Sequence, residues 1–507
     1  MEKTGLMVIE KVKLWFGPGG REGYKWASNY EGFPVGLCRQ AFCEICNPAA
    51  RGKMKTFRGG ELEVTLVPYR RPTFWKEEMF YLGHVTRVPE REAGVVSPDE
   101  GTEVDVAGFN TFLYLTEKGG LLIDPGSQEF NGEEARFRRL IAGQIILATI
   151  VTHGHHDHQS YLSAVPGNGP VVLGSVAFQL ASRRAAWQRD FRLVRILERA
   201  RRVVPGDPIL LDDAPVKIDT FFLPHSIPET TGLVIQGERK RVVHLGDFKL
   251  TGWEGESKAK TIATLREIAK GRVDILSLNI VNAHLPGFTP LEAVVVDTTT
   301  NILARARGRV IIACFSTNLE RIRRIAEVAQ ILGRPVQFFG AGMQNARELL
   351  RLKTSEEGNF EEAVIFATGC QAEENSVLWR IAQKQNPAFE LRPESDVLVS
   401  SARCIPGNEE VLREQYRVFR PQVAELILNE GEVNQIGLTD LGIEEAPVHR
   451  TGHESQAGLQ LVLEIFQRSG LKVSVWPQTE PQITAFRKIA KPFGIEIMDE
   501  KERVIEI

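Results

Sequence analysis

Four metal-ligating side chains crowd into one short stretch of this sequence: His153, His155, Asp157 and His158, in Thr152-His153-Gly154-His155-His156-Asp157-His158. Neutral imidazole and carboxylate suit Zn²⁺, or Mn²⁺ where oxygen predominates. Four such groups cannot all face one ion from so tight a loop, so two adjacent ions are the natural solution. Three more residues fit the same chemistry. Asp124 ends the apolar run Leu121-Leu122-Ile123, His225 sits in Pro224-His225-Ser226, and Asp247 follows Val242-Val243-His244-Leu245-Gly246. Each alone reads equally well as a cap or turn residue. Their order and spacing around the histidine cluster mark them out. The chemistry such a set serves is hydrolysis by a metal-activated water.

The elements that must position these residues are short buried strands. Thr111-Phe112-Leu113-Tyr114-Leu115, Gly120-Leu121-Leu122-Ile123 and Ile146-Leu147-Ala148-Thr149-Ile150-Val151 are apolar runs with polar residues at their C-terminal ends, where loops turn side chains into a shared crevice. From about 279 to 448, strand-like runs alternate with helical stretches: Val310–Cys314 precedes Leu319–Leu332, and Val336–Phe339 precedes Met343–Leu352. That alternation predicts βαβ units and a parallel sheet. After 449 the pattern predicts a helix near 454–468, a strand at 472–476, a helix near 481–492 and a last strand. Residues 1–78, rich in Gly, aromatic and basic residues, read as a separate N-terminal segment.

The totals are those of an ordinary folded chain. Its 507 residues are 43% hydrophobic and 25% charged, with a formal net charge of −3, which leaves material for two or three domains. Charge as a whole gives no support for a nucleic-acid partner, although a local basic groove is compatible with it. Six cysteines do not make a disulfide framework. With no secretory pattern at the N-terminus and no run approaching a membrane span, a soluble cytoplasmic protein without a membrane partner is expected.

The motif set resembles the metallo-β-lactamase superfamily. Further segments resemble ribonuclease J of its β-CASP branch: Pro224–Glu229, Gly246-Asp247-Phe248-Lys249, Pro286–Pro290, Ala367-Thr368-Gly369-Cys370-Gln371, Ile405–Glu409 and Val448-His449-Arg450-Thr451-Gly452-His453. The resemblance implies an α/β protein: a metallo-β-lactamase αββα sandwich with an inserted β-CASP α/β domain. The expected division is an N-terminal extension at 1–78, the sandwich at 79–278 and 449–507, and the insertion at 279–448. It further implies one ion on His153, His155 and His225, another on Asp157 and His158, Asp247 bridging them, and Asp124 supporting the cluster from behind. Asp157 and Asp247 would thus serve catalysis, with His453 near a scissile phosphate and His449 close by. RNA is the implied partner and Zn²⁺ the implied cofactor, as one or two ions. Other readings are a metallo-hydrolase of a small ester or phosphoester, and a catalytically weakened RNA-binding protein.

The sequence departs from that family in four respects. Gln478, in Val475-Trp476-Pro477-Gln478-Thr479-Glu480, occupies the place of a final ligand histidine, and no histidine follows His453. One site is therefore expected to fill firmly and the other loosely, or with Mn²⁺. Asn279-Ile280-Val281-Asn282-Ala283-His284-Leu285-Pro286 lacks the Asp, hydroxyls and Arg usual there, and Phe339-Gly340-Ala341-Gly342-Met343 lacks an Arg-Ser; both changes remove phosphate-holding groups. The family's C-terminal dimerisation domain has no counterpart before Ile507, which leaves the oligomeric state open.

Two features stand outside the resemblance. Arg192, Arg195, Arg199 and Arg202 share a face if 183–202 is helical; they are either a phosphate-tracking rail for RNA or a solvated, acid-paired face. Cys38, Cys43 and Cys46 are spaced Cys-x4-Cys-x2-Cys. They fit three free thiols, a zinc site completed by a residue such as His84, or an iron–sulfur cluster.

Overall fold

The computed structural model describes residues 111–498, apart from 127–136, 139–140, 167–168, 213, 253–254, 355–359, 374, 387–388, 406 and 477–479. Outside that span it describes the backbone of six strands between Lys13 and Arg87 and of Val504–Glu506. Cys43, Cys46 and Gln478 lie outside the described residues, as do the side chains of Cys38 and His84.

By backbone contacts the chain divides between Thr102 and Glu103. The first unit holds one antiparallel sheet, in the order Gly23–Tyr24, Lys13–Trp15, Leu37–Arg39, Met79–Arg87, Leu62–Tyr69, Lys55–Gly59. Met79–Arg87 pairs with both Leu37–Arg39 and Leu62–Tyr69. It therefore belongs to this unit and not to the sandwich expected to begin at 79.

The second unit contains three six-stranded sheets. In the first, Phe112–Thr116 and Gly119–Ile123 form a hairpin, and Ile146–Val151, Val171–Leu173 and Arg201–Arg202 add in parallel. Val504–Glu506 pairs on the other side of Phe112–Thr116. In the second, Lys217–Phe222, Thr231–Gln236 and Arg241–His244 run antiparallel; Ile275–Asn279, Lys472–Trp476 and Glu496–Ile497 follow in parallel. Runs such as Ile146–Val151 are apolar almost throughout because both faces of the sheet are covered.

Phe112, Tyr114, Ile123 and Ile150 of the first sheet pack against Ile218, Leu233, Val242 and Trp476 of the second. The outer face of the first carries the helices Ser175–Gln188 and Phe191–Glu198 through Ala177, Ala181, Ala185, Leu193 and Leu197. The outer face of the second carries Leu265, Leu459, Val462, Phe466 and Phe486 from three helices. The result is the αββα sandwich.

The third sheet is wholly parallel, in the order Val336–Phe339, Val364–Ala367, Val310–Ala313, Val397–Ser400, Glu425–Asn429, Glu444–Ala446. Helices cover both faces. All its strands fall between Ile275–Asn279 and Lys472–Trp476, which are direct neighbours in the sandwich. The chain thus leaves the sandwich, builds a second α/β domain and returns beside the strand it left. Among the described residues no helix is long and apolar enough to cross a membrane.

Candidate metal centre

Every residue of the centre stands at or just beyond a strand end. Asp124 follows Gly119–Ile123 with φ 49°, a left-handed conformation that Asp tolerates better than most residues. Its Oδ1 accepts the Thr152 N–H at 2.7 Å, and its Oδ2 accepts the Thr152 hydroxyl at 2.7 Å. Oδ2 also lies 3.0 Å from His158 Nδ1. One buried carboxylate therefore fixes both the start of the ligand loop and the ring of its last histidine. Gly126 must be glycine here: a Cβ would fall 2.4 Å from the Asp157 carbonyl oxygen.

The loop leaves Ile146–Val151 and closes in a single 3₁₀ turn, His156–His158. Within it His153 Nε2 approaches His155 Nδ1 at 3.0 Å, and His225 Nε2 approaches the same atom at 3.1 Å. His225 Nδ1 lies 2.7 Å from the Gly452 carbonyl. That contact assigns its hydrogen to Nδ1 and leaves Nε2 a lone pair. Gly452 allows the approach, since a Cβ would sit 2.6 Å from His225 Cε1. At His155 Nδ1 one hydrogen could satisfy only one of the two neighbouring ring nitrogens. The convergence therefore fits a shared cation better than a hydrogen-bonded histidine cluster.

Asp247 lies at the middle. Its Oδ2 is 3.1 Å from His158 Nε2, 3.8 Å from His453 Nδ1, 3.9 Å from His153 Nε2 and 4.0 Å from His225 Nε2. Its Oδ1 accepts the Asn279 amide at 2.9 Å. Three donor sets each fall within 4.8 Å: His153 with His155 and His225, Asp124 with His153 and His158, and His225 with Asp247 and His453. Asp157 Oδ2 is 3.7 Å from His158 Nε2 but joins none of these sets. Among the described residues His453 Nδ1 is buried without a hydrogen-bond partner, and it faces Asp247.

The electrostatics favour cation binding. Burial holds His153 and His225 well below their ordinary pKa, and neighbouring imidazoles add to it. Burial takes His155 down to about 4, so these rings are neutral at physiological pH and able to ligate a cation. Burial works against charge on His158 too, but Asp247, Asp157 and Asp124 raise its pKa well above the usual value. Burial alone would raise Asp247; His158 and His453 instead hold it far below the ordinary carboxylate range.

His449 does not join the centre. Its Nδ1 is 2.9 Å from Arg321 Nη1 and 3.2 Å from the Ser401 carbonyl, and burial lowers its pKa to about 3. Arg321 is wholly buried, as are its partner Glu292 and Lys249. Arg321 Nη2 lies 2.9 Å from each Glu292 oxygen, and Lys249 Nζ lies 3.2 Å from Glu292 Oε1 and 3.3 Å from the Thr451 carbonyl. Glu454 binds the Leu250 and Thr289 N–H groups at 2.5 and 3.0 Å. These residues tie the segment after Asp247 to the helices of the inserted domain and to the 449–454 return. Sequence reasoning did not find Glu292, Arg321 or Glu454. Lys249 stood in the Gly246-Asp247-Phe248-Lys249 motif, the one available signal.

The arginine rail is not one helix face. The first helix ends at Arg189, whose φ is 54°, and Asp190 caps a second through the Arg192 and Leu193 N–H groups. That helix ends at Glu198, with Arg199 as its C-cap. Arg202 lies in a strand with its guanidinium over the Phe178 ring.

Comparison with known proteins agrees with this architecture. Residues 105–278 match the family model of the metallo-beta-lactamase superfamily, and residues 307–416 match that of the ribonuclease J beta-CASP domain. A ribonuclease J from Thermus thermophilus is 29% identical over 63% of this chain and 56% of its own length. One from Sinorhizobium meliloti is 31% identical over 62% and 54%. The chain thus spans a little over half the length of these relatives. A protein of unknown function from Enterococcus faecalis V583 has the same fold, with TM-score 0.52 at 15% identity over 78% of this chain and 96% of that one.

Proposed function

We propose, for a chain that carries a metallo-β-lactamase domain and a ribonuclease J β-CASP domain, that it is a metal-dependent phosphodiester hydrolase acting on single-stranded RNA. The observation that carries this reading is the convergence of ring nitrogens of His153, His155, His225 and His158 and the Asp247 carboxylate on one small volume. His153, His155 and His225 would hold one cation; His158, Asp247 and Asp157 would face a second. Divalent cations bound there supply a water acidic enough to react near neutral pH and offset charge developing on the phosphoryl oxygens. Zn²⁺ is our assignment from the imidazole-rich donors, with Mn²⁺ at the oxygen-richer position.

The chain's own residues do the rest. Asp124 holds His158 by Nδ1, so Nε2 faces inward. Asn279 steadies Asp247 through Oδ1, leaving Oδ2 toward the reacting centre. His453 turns Nδ1 toward Asp247, which leaves Nε2 to meet the scissile phosphate and pass a proton to the leaving oxygen. His449, bonded to Arg321, positions the 449–453 return rather than touching substrate. Both polar ends of the Asn279 amide are engaged within the protein, by Asp247 and by the Val281 N–H. This counts against Asn279 as a group that recognises a 5′-monophosphate end.

The free, buried thiols Cys314, Cys370 and Cys404 support a cytoplasmic location. The test is hydrolysis of labelled RNA bearing 5′-phosphate or 5′-hydroxyl ends, with added Zn²⁺ or Mn²⁺, beside an Asp157→Ala control. Cleavage by the parent and none by the control is the expected result. Tight binding without cleavage would instead favour an RNA-binding protein with a weakened centre, and inertness toward RNA would remove the substrate assignment.

A further inference from the structure

Two large aromatic side chains stand in solvent on the helix pair that covers the first sheet. Trp187 is 78% exposed and Phe191 is 74% exposed, in the hairpin between the helices Ser175–Gln188 and Phe191–Glu198. Ala177, Ala181 and Ala185 form the buried stripe of the first helix, and Leu193 and Leu197 that of the second. Trp187 is two residues past Ala185 and Phe191 two before Leu193, so each stands about 200° around its helix from the stripe. The rings face out because the helices face in. The core therefore does not account for them, and neighbouring exposed aromatics mark an interaction surface.

Charge says what kind. The stretch 183–202 holds eight arginines against two acids, Asp190 and Glu198. The Asp190 side chain is spent on capping the second helix. Arg183 is paired, to Glu348 and Asn345, and Arg192 donates to the Val165 carbonyl. Among the described residues, Arg189, Arg192, Arg195 and Arg199 have no ion-pair partner, although Arg189, Arg192, Arg195 and Arg199 are all exposed. A surface of flat rings interleaved with unneutralised guanidinium groups is complementary to a single-stranded polynucleotide: bases stack and phosphates pair. The hairpin is also close to the chemistry. Arg184, three residues before Trp187 and about 4.5 Å lower on the helix, reaches His156 Nδ1 at 2.8 Å and the Gln159 carbonyl at 2.6 Å. Both residues belong to the ligand loop.

We infer that Trp187 and Phe191, with Arg189 and Arg195, form a stacking platform that grips single-stranded RNA outside the metal centre and feeds it toward the ligand loop. This rests on the nuclease reading above. The platform engages nucleotides beyond those at the scissile bond, so it acts on long substrates and not on very short ones.

The test compares the full chain with Trp187→Ala/Phe191→Ala on fluorescein-labelled oligouridylates of 20 and 4 nucleotides. Stacking contributes roughly fivefold or more in affinity per base. The expected result is a KM raised at least tenfold on the 20-mer, kcat within twofold, and kcat/KM on the 4-mer unchanged. Arg195→Gln, which touches no ring, should flatten the salt dependence of 20-mer binding by about 0.7 in log–log slope. A double variant with parental KM on the 20-mer overturns the platform while leaving the nuclease reading intact. A parent that neither binds nor cleaves RNA overturns both. Sedimentation showing a dimer that Trp187→Ala dissolves, with KM unmoved, assigns the patch to a second copy of the chain and also overturns the platform.

Discussion

Glu292→Gln isolates the joint between the two α/β domains. Glu292 is fully buried and holds two buried cations, Lys249 at 3.2 Å and Arg321 at 2.9 Å. At about 3 Å and an effective dielectric near 20, each attraction is worth roughly 5 kcal/mol before desolvation. The amide keeps the shape and removes the charge, leaving both cations uncompensated. Breaking a buried pair from one side costs about 3–5 kcal/mol. If Glu103–Ile507 unfolds as one unit, that loss lowers Tm by roughly 4–6 °C at pH 7. Burial would raise the Glu292 pKa, but Arg321 and Lys249 hold it down to about 2. A depressed carboxyl contributes its stability above the unfolded pKa, near 4.3, and loses it as pH falls toward 2. Scanning calorimetry at pH 7, 5, 4 and 3 should therefore show the gap between parent and variant wide at pH 7 and 5, then narrowing. Adding Lys249→Met should recover part of the loss, since it removes one orphaned cation. A variant melting within 1 °C of the parent at pH 7 would refute the reasoning.

Asp124→Asn replaces Oδ2, the oxygen that accepts the Thr152 hydroxyl and meets His158 Nδ1, with an amide nitrogen; metal affinity by chelator competition should weaken about 10–100-fold, and an unchanged affinity would deny Asp124 that role. Gly126→Ala forces a Cβ against the Asp157 carbonyl, so metal content and Tm should fall together, whereas a fully loaded variant would show that the loop yields. Burial raises the Glu432 pKa to about 7, so the folded state binds its proton more tightly than the unfolded state. Stability from this residue is present below about pH 4.3 and declines as pH rises through 7, by on the order of 3 kcal/mol; Glu432→Gln should show a shallower fall in Tm between pH 5 and 8, and identical slopes would dismiss the effect. Metal analysis of the purified chain should find one tightly held zinc ion per chain with a second readily lost, in keeping with Gln478 in a ligand's place; two tight ions would contradict it.

Much of the candidate centre was legible because its donor side chains are local. His153, His155, Asp157 and His158 share one turn, and Asp124 and Asp247 end runs whose apolarity announces a buried strand. The alternation between 310 and 446 likewise announced the parallel sheet. What sequence reading missed depends on distant partners. Nothing near His449 reveals that Arg321, 128 residues earlier, claims its ring. Residues 183–202 read as one helix because Arg189 and Asp190 are not strong breakers, yet Arg189 takes a left-handed turn and Asp190 caps a new start. The strand Met79–Arg87 was placed in the sandwich because its pairing with Leu37–Arg39 leaves no mark in local pattern.

The seating of Lys472–Trp476 beside Ile275–Asn279 also dictates an order of events at birth. A nascent chain emerging from the ribosome exposes the ligand loop early, but the strand that flanks Ile275–Asn279, and the Gly452 carbonyl that orients His225, arrive only after the whole insertion has emerged. The inserted domain has all its strands in hand first and folds as a unit. The sandwich waits for its return strand, so the candidate metal centre is completed only after the inserted domain has emerged.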